Sequence, residues 1–206
     1  MASLSDVGIC SRAVTRLGGD AFSSFEEDDI GIVCAENYSE RKKAVLGSYP
    51  WRITMKKKKL QRDATDPINE WTYSHQVPND GLDGHGAIKA VWPNSGAGGR
   101  PLTDYEIFGK FICSHQLELW VDYQQDVGES ELPPHLVEML ILDMMVVVAM
   151  PLTETQSNRD AAFLAAYGSP SEAGRGGYWR TATIIDQQQQ PPQQVDANDF
   201  IDVRFS

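Results

Sequence analysis

The chain of 206 residues is 41% apolar and carries a formal net charge of −11. That length is sufficient for one well-buried core with a smaller subdomain beside it. A strongly acidic protein repels nucleic acid on average, so the composition argues against a body built to hold DNA or RNA. The first residues lack the basic and apolar regions of a signal peptide.

Three cysteines, Cys10, Cys34 and Cys113, are spread along the chain. Their odd number and wide spacing are typical of reduced thiols, so we expect no disulfide. Cys113 and His115 lie two apart on a predicted strand and point the same way, which would suit a Cys–His nucleophile. A half-buried thiol beside a surface histidine is the interpretation that we favour.

The positive charge of the chain is concentrated in one segment. Residues 41–62 contain nine basic residues and no acidic one, whereas the other nine basic residues share the rest of the chain with all 29 acidic residues. Such a segment suits contact with phosphate or with an acidic partner. Alternatively, four lysines form the solvated end of a strand and protect the edge of a sheet. These are Lys56, Lys57, Lys58 and Lys59.

Two helices are predicted in the first 50 residues. Ser5 can cap the first, and Gly18–Gly19 ends it. The second begins near Asp28–Asp29, whose carboxylates suit a helix N-terminus, and stops by Gly47. Their apolar faces consist of Val7, Cys10, Val14 and Leu17 in the first helix and of Ile30, Val33, Cys34, Tyr38, Val45 and Leu46 in the second.

The signals between Trp51 and Tyr123 are short and strand-like, and turns rich in glycine and asparagine separate them. The candidate strands are WRITMKK, NEWTYSHQV, GAIKAVW, DYEIFGKFIC and LELWVDY. Gly109, inside the fourth segment, predicts a turn or a bulge. This part of the chain therefore predicts a small antiparallel β-subdomain.

Helical signals return at Pro133–Pro134, because proline suits the first turn of a helix. Residues 135–150 are apolar nearly all round, and Pro151 is predicted to end the helix. Sixteen residues interrupted by Glu138 and Asp143 are too short and too charged for a membrane span. We therefore expect the central buried helix, or one face of a subunit interface.

Two more helices are predicted after Thr153. The first runs to Gly168 and carries a short apolar face. Ser169–Glu172 then matches a capping box with proline at the first helical position, which predicts a last helix ending near Ile185.

The predicted fold class is α+β. A bundle of about four helices, formed by residues 1–50 and 132–186, receives the inserted antiparallel β-subdomain of residues 51–131. Residues 187–206 follow as an extended C-terminal arm, which begins with a run rich in glutamine and proline.

The end of the arm alternates between apolar and charged residues. Ile201, Val203 and Phe205 lie on one face of an extended chain, next to Phe200 and Arg204. A strip of this size is not stable alone. We expect it to bind a sheet or a groove, which belongs either to its own chain or to a partner.

No motif predicts a metal or a cofactor. SGAGGRPLT, residues 95–103, lacks the spacing and the Lys-Ser/Thr pair of a P-loop. NDGLDG, residues 79–84, matches the start of a calcium loop, but Ala90 stands where the bidentate glutamate is needed. The four histidines show no i,i+4 pair, and no cysteine lies in a C-x-x-C motif. We therefore expect neither catalysis nor a bound cofactor.

The order of these features resembles a known family. AVTRLGGDAFSSFEEDD precedes a helix with CAENYSERKKAVLGSYPWRITMKKKKL, followed by EWTYSHQVPND, a strand-rich middle ending LWVDY, and the helix pair PPHLVEML…AMPLTET. This series is similar to the phage tail tubular protein A family, the head-to-tail adaptors also called gatekeeper or connector proteins. The most specific pieces are Tyr49–Arg52 and Trp71–Asp80, and the likeness covers nearly the whole chain.

The resemblance implies a structural protein of the bacteriophage virion, made in the host cytoplasm and located in the neck, with no enzymatic activity and no membrane. About twelve copies would form a ring under the portal protein and continue the channel for genomic DNA without sequence-specific binding. The ring would also bind a downstream tail, stopper or nozzle protein. Adaptors of this fold serve both long-tailed and short-tailed phages.

Two sets of residues would carry these contacts. Lys56–Lys59 would face a partner protein or the neighbouring subunit. Docking on the portal would involve the arm residues Phe200, Ile201, Val203, Arg204 and Phe205.

Two other classes of protein remain as alternatives. A nucleic-acid-binding module using residues 41–62 predicts steeply salt-dependent DNA binding by the monomer. A small hydrolase using Cys113 predicts a turnover that thiol alkylation abolishes.

Overall fold

The computed structural model describes residues 5–65, 67, 70–82, 87–95 and 100–189. Within these residues the chain is a mixed α+β protein with five α-helices and two antiparallel sheets. The helices are α1 Asp6–Arg16, α2 Asp29–Gly47, α3 Pro134–Thr153, α4 Gln156–Tyr167 and α5 Gly177–Gln188. The strands are β1 Met55–Lys59, β2 Gln61–Arg62, β3 Tyr73–Gln76, β4 Ile88–Trp92, β5 Glu106–Phe108, β6 Phe111–Ser114 and β7 Trp120–Gln124.

The first two helices begin where their capping side chains predict. The Ser5 hydroxyl accepts a hydrogen bond from the Gly8 N–H at 3.1 Å, and the Asp28 carboxylate accepts one from the Gly31 N–H at 2.5 Å. A Cβ atom at Gly31 would lie 2.5 Å from the Phe25 carbonyl oxygen, so the turn that enters α2 requires glycine there. Both predicted N-termini are confirmed.

Helix α3 is the centre of the helical part, and it contacts α1, α2, α4 and α5. The predicted end at Pro151 was wrong, because the helix continues through this proline to Thr153. Proline removes a single N–H, and near the end of a helix this loss is small. The Thr153 hydroxyl donates to the Ala149 carbonyl at 2.7 Å, and Glu154 then ends the helix with a left-handed φ of 52°.

The last helix begins later than predicted. The capping box of Ser169 and Glu172 forms, but it closes only a single 3-10 turn. Ala173 and Gly174 follow with φ values of 52° and 73°, which no continuing helix allows. Helix α5 starts at Gly177 and includes Gln187 and Gln188, which the sequence analysis assigned to the arm.

The two sheets have the strand orders β1-β7-β4 and β2-β3-β6-β5, and every pairing is antiparallel. Each of the five predicted segments contains at least one strand. The segment DYEIFGKFIC contains two, β5 and β6, which Gly109 joins with a left-handed φ of 59°. The short strand β2 was not predicted.

The described residues bury two hydrophobic clusters. The larger one is formed mainly by the helices, around Leu46, Leu136 and Met144, and the smaller one lies among the strands, around Val91 and Val121.

Gln124, at the end of β7, is fully buried and links the strands to the helical part. Its Nε2 atom lies 2.9 Å from the Leu46 carbonyl, 2.8 Å from the Tyr49 carbonyl and 2.9 Å from the Thr54 hydroxyl. One side chain therefore satisfies backbone groups at the end of α2 and a hydroxyl just before β1.

Candidate interaction surface

The predicted lysine run lies on an outer strand. Lys56–Lys59 are exposed residues of β1, which pairs only with β7 at one side of its sheet. Charged side chains on an outer strand prevent pairing with another chain. The predicted position of these lysines, on a strand at the edge of a sheet, is confirmed. Whether they protect that edge or contact a partner stays a prediction.

Three of these lysines contact acidic residues of the same chain. Lys57 Nζ lies 3.3 Å from Asp122, and Lys59 Nζ lies 2.6 Å from Glu118. Lys58 Nζ lies 3.5 Å from Asp80. Such exposed pairs contribute at most about 1 kcal/mol each, but they lower the positive charge that the strand presents. Among the residues that the structure describes, Lys56 has no ion pair.

The other basic residues of the 41–62 segment follow the same pattern. Arg41 pairs with Asp143, Arg52 with Asp186, and Lys42 Nζ lies 3.2 Å from Asp126 and 3.0 Å from Glu129. Six of the nine basic residues thus have an acidic partner in their own chain. The charge asymmetry of the sequence is largely cancelled in space, which argues against a phosphate-binding surface at this segment.

Asp143 forms a buried polar group inside the apolar helix α3. Its carboxylate accepts hydrogen bonds from the Arg41 guanidinium, with Nε at 2.8 Å, and from the Tyr167 hydroxyl at 2.5 Å. Burial, and next the nearby Asp143 charge, raise the pKa of Tyr167 well above its ordinary value. In the sequence Asp143 only interrupts an apolar run, whereas in the structure its carboxylate ties α2 and α4 to α3.

A second buried carboxylate fixes the end of α5. The Asp186 carboxylate accepts a hydrogen bond from the Arg52 backbone N–H at 3.3 Å, and the Arg52 Nε donates to the Asp186 carbonyl at 2.9 Å. On the same side, the Gln187 amide donates to the Tyr49 hydroxyl at 3.1 Å and the Trp179 indole N–H donates to Ser48 Oγ at 3.0 Å. Helix α5 is thereby held against the Tyr49–Arg52 junction.

His135 lies beside this carboxylate. Its Nε2 atom is buried, has no hydrogen-bond partner among the residues that the structure describes, and is 3.9 Å from Asp186 Oδ1. Burial lowers the pKa of His135, while the negative charge of Asp186 opposes that shift. The sequence did not predict this pair of residues, because His135 lies on α3 and Asp186 on α5, and both meet the Tyr49–Arg52 junction, which is distant in the chain.

Large apolar side chains are exposed in several places that were not predicted from the sequence. Ile107 and Phe108 are 49% and 47% exposed on β5, and Leu117 is 59% exposed in the loop before β7. On the helices, the exposed ones include Met150 of α3, Phe163 and Leu164 of α4, and Ile184 and Ile185 of α5. A cavity of about 280 Å³ beside Met150 is lined by Arg41, Val146, Val147, Met150 and Arg159. These surfaces have the composition of contact surfaces.

The candidate nucleophile has unfavourable geometry. Cys113 is buried on β6, whereas His115 follows the end of that strand and is exposed. The His115 Nδ1 atom is 2.9 Å from the Thr72 hydroxyl, and its ring packs on Trp71 at 4.9 Å between centroids. These contacts direct the imidazole to Thr72 and Trp71.

Asp80, in the segment that matches the start of a calcium loop, contacts another side chain of the protein. Its carboxylate accepts a hydrogen bond from the Tyr123 hydroxyl at 2.9 Å. Within the described part of the chain, no group of histidine, cysteine, aspartate and glutamate side chains is arranged to hold a metal ion.

Part of the predicted surface is not described. The arm residues Phe200, Ile201, Val203, Arg204 and Phe205 all lie outside the described residues. Their role in docking stays a prediction. The structure does describe the place from which the arm continues, which is the end of α5 at Gln189.

Helix α3 has the length and apolarity to cross a membrane, with a mean hydropathy of 2.0 over its most apolar window. The helix has twenty residues and not the sixteen predicted, so it is long enough to cross a membrane, contrary to the expectation from the sequence. The central helix of a globular core has the same two properties, and this helix packs against the other four helices.

Comparisons with known proteins do not assign the chain to a family. No model of a known protein family matches it, and no curated protein shows significant similarity to it.

Proposed function

We propose that the protein is a structural head-to-tail adaptor of a tailed bacteriophage. In this proposal twelve copies form a ring in the neck of the virion, between the portal protein and a tail protein. The ring continues the channel through which genomic DNA passes. The protein acts by contact and has no catalytic role. The resemblance described above is the basis of this proposal, and the following features of the structure support it.

The observation that carries the proposal is the attachment of α5 to the Tyr49–Arg52 junction. This junction is among the most specific parts of the resemblance, and it holds α5 through the buried Asp186 carboxylate and the exposed Gln187. The arm of residues 190–206 therefore continues from a fixed point on the body. Attachment at a fixed point raises the effective concentration of a binding segment at a partner site within its reach.

The distribution of charge also supports a channel-forming ring. The body is acidic, and the basic segment of residues 41–62 is largely paired with acidic residues of the same chain. A lining rich in unpaired cations would bind phosphate tightly and hinder the passage of DNA.

In the proposal the helices form a bundle, and the strands form an inserted subdomain that contacts a partner or the neighbouring copy.

Deletion of residues 190–206 tests the proposal. Sequences rich in glutamine and proline offer little apolar surface for a core, so we expect the deletion to change the melting temperature by at most about a few degrees. Truncated protein mixed with portal-containing heads is expected to leave the heads without tails, as seen by electron microscopy. Normal tail attachment by the truncated protein would contradict the docking role of the arm.

Two substitution variants sharpen this experiment. Serine at positions 201, 203 and 205 removes Ile201, Val203 and Phe205, whose burial contributes about 1.5–3 kcal/mol each, and is expected to act like the deletion. Asp202→Asn is the control, because it keeps the three apolar side chains, and we expect it to retain tail attachment. Imaging of the neck in purified virions tests the location of the ring directly.

The alternative of a nucleic-acid-binding module receives less support. It requires a surface of unpaired basic residues, whereas only three of the nine in the segment, Lys43, Lys56 and Arg62, have no ion pair in the described part of the chain. Arg62 instead lies over the Tyr73 ring, 5.3 Å from its centroid. Steeply salt-dependent binding of DNA by the isolated protein would favour this alternative.

A further inference from the structure

The two sheets differ in how their outer strands are protected. The outer strand β1 carries four consecutive lysines, a common protection against pairing with another chain. The outer strand β5 consists of Glu106, Ile107 and Phe108, all exposed, and has two large apolar side chains instead. An apolar outer strand of this kind is typical of a surface that a partner covers.

The exposed apolar residues lie at the tip of a hairpin. Phe108 pairs with Phe111 across the turn, and Gly109 has the left-handed φ of 59° that such a tight reversal needs. Asp104 precedes β5, is exposed, and forms no ion pair with any residue that the structure describes. The hairpin therefore presents an aromatic ring and an isoleucine with a negative charge nearby.

A surface with complementary properties occurs elsewhere on the same chain. The cavity of about 280 Å³ lies between α2, α3 and α4, and Val146, Val147 and Met150 form its apolar part. An engineered cavity of about 150 Å³ binds benzene, so this one has room for a phenyl ring.

The rim of the cavity is apolar and positively charged. Met150 is 38% exposed, and Phe163, one helical turn after Arg159, is 41% exposed. Arg41 is neutralised by Asp143, whereas Arg159 has no ion pair within the described residues. The charge of the rim is thus opposite to that of Asp104 on the hairpin.

We propose that the Ile107–Phe108 hairpin of one copy inserts into this cavity of a second copy, with Asp104 near Arg159. The contact joins two different surfaces, so each copy can bind one neighbour on each side. Repetition of such a contact produces a ring when the rotation closes. This inference rests on the proposed ring and names the lateral contact within it.

Chemical crosslinking between two variants, each with one added cysteine, tests the contact. Lys110→Cys and Met150→Cys place reactive thiols at the hairpin turn and at the cavity, and Lys110→Cys keeps the Ile107 and Phe108 side chains. Cys10, Cys34 and Cys113 are buried. A short bis-maleimide reagent is added to an equal mixture of the two variants and to each variant alone. We expect a covalent dimer in the mixture and little dimer from either variant alone, because the two surfaces lie on different copies.

Leu117→Cys mixed with Met150→Cys is the matched control, since Leu117 is an exposed residue outside the hairpin. A dimer yield in the test mixture no higher than in this control would overturn the contact. Reversing one charge, Asp104→Lys or Arg159→Glu, is expected to lower the yield, and combining both reversals is expected to restore it. Equal dimer yields without a reversal, with one reversal and with both reversals would overturn the pairing of Asp104 with Arg159.

This experiment requires neither heads nor tails. Failure to crosslink would remove the lateral contact and leave tail attachment as the separate test of the adaptor function. Conversely, crosslinking by a protein that does not attach tails would keep the contact and reject the adaptor.

Discussion

The backbone N–H of Arg52 donates a hydrogen bond to the side chain of Asp186, across 134 residues of sequence. The carboxylate is buried, and the Arg52 side chain is partly exposed. One acidic residue near the end of α5 therefore satisfies a backbone group at the start of the β-rich segment and lies close to a guanidinium charge.

We predict that Asp186→Ala destabilises the protein. The change leaves the Arg52 N–H without its acceptor, at a cost of about 1–3 kcal/mol for an unsatisfied buried group. For a chain of this size, that corresponds to a fall in melting temperature of about 3–10 °C. Thermal unfolding followed by circular dichroism measures it. Gln187→Ala, which removes only an exposed hydrogen bond, is the control, and an equal effect of both changes would contradict the assignment.

The buried histidines make stability dependent on pH. Burial lowers the pKa of His135 and that of His75 below the ordinary value of 6.5. At low pH the unfolded chain then binds protons that the folded chain does not. The stability contributed by the neutral, buried histidines is therefore present above about pH 6.5 and is lost as the pH falls below that value. We predict that His135→Gln reduces this loss between about pH 7 and pH 5.

Urea denaturation at the two pH values measures the effect. His75 continues to titrate in the variant, so we expect a smaller pH dependence and not its disappearance. A pH dependence identical to that of the unmodified protein would show that His135 is protonated equally in the folded and unfolded states.

The thiols of Cys10 and Cys34 are predicted to react slowly. Both are completely buried, on α1 and α2. The hydrogen bond with Cys34, followed by burial, raises the pKa of Cys10 and keeps it in the unreactive thiol form. The same hydrogen bond lowers the pKa of Cys34, so the slow reaction expected of that thiol rests on its burial. Maleimide labelling in native buffer is expected to be slow at both sites and fast after denaturation. The Leu117→Cys variant supplies an exposed reference thiol, and labelling of Cys10 and Cys34 at the reference rate would show that the helix faces are assigned wrongly.

The buried Asp143 network is predicted to contribute more to stability than an exposed ion pair. Asp143→Ala leaves Arg41 and the Tyr167 hydroxyl without their acceptor. Removing one partner of a buried pair costs about 3–5 kcal/mol, and the partial exposure of Arg41 places this one near the lower value. Glu138→Gln breaks the exposed pair with Arg16, and we expect it to cost less than about 1 kcal/mol. Chemical denaturation of both variants compares them, and equal costs would contradict the difference in burial.

The elements that local chemistry defines were predictable from the sequence. Ser5 and Asp28 mark the helix starts because a capping oxygen acts within three residues, and Gly109 marks a turn for a similarly local reason. The proline at 151 misled the prediction, since near the end of a helix it removes one hydrogen bond without stopping the chain from continuing.

The candidate surfaces were less predictable, because they depend on residues that are distant in sequence. The basic segment of residues 41–62 suggested a free cationic surface, but its partners, such as Asp122, Asp143 and Asp186, come from the second half of the chain. The hairpin and the cavity likewise depend on which strand is outermost and which helices meet.

Gln124 determines how stiffly the helical part is connected to the strands. Its Nε2 atom contacts the end of α2, the Tyr49 carbonyl and the hydroxyl of Thr54 at the same time. A bend between the two hydrophobic clusters would have to break these contacts together, in a place closed to water that could replace them. The helical part and the strands therefore move together at Gln124. The backbone amide protons near Leu46 and near Thr54 are expected to exchange with solvent in one cooperative opening.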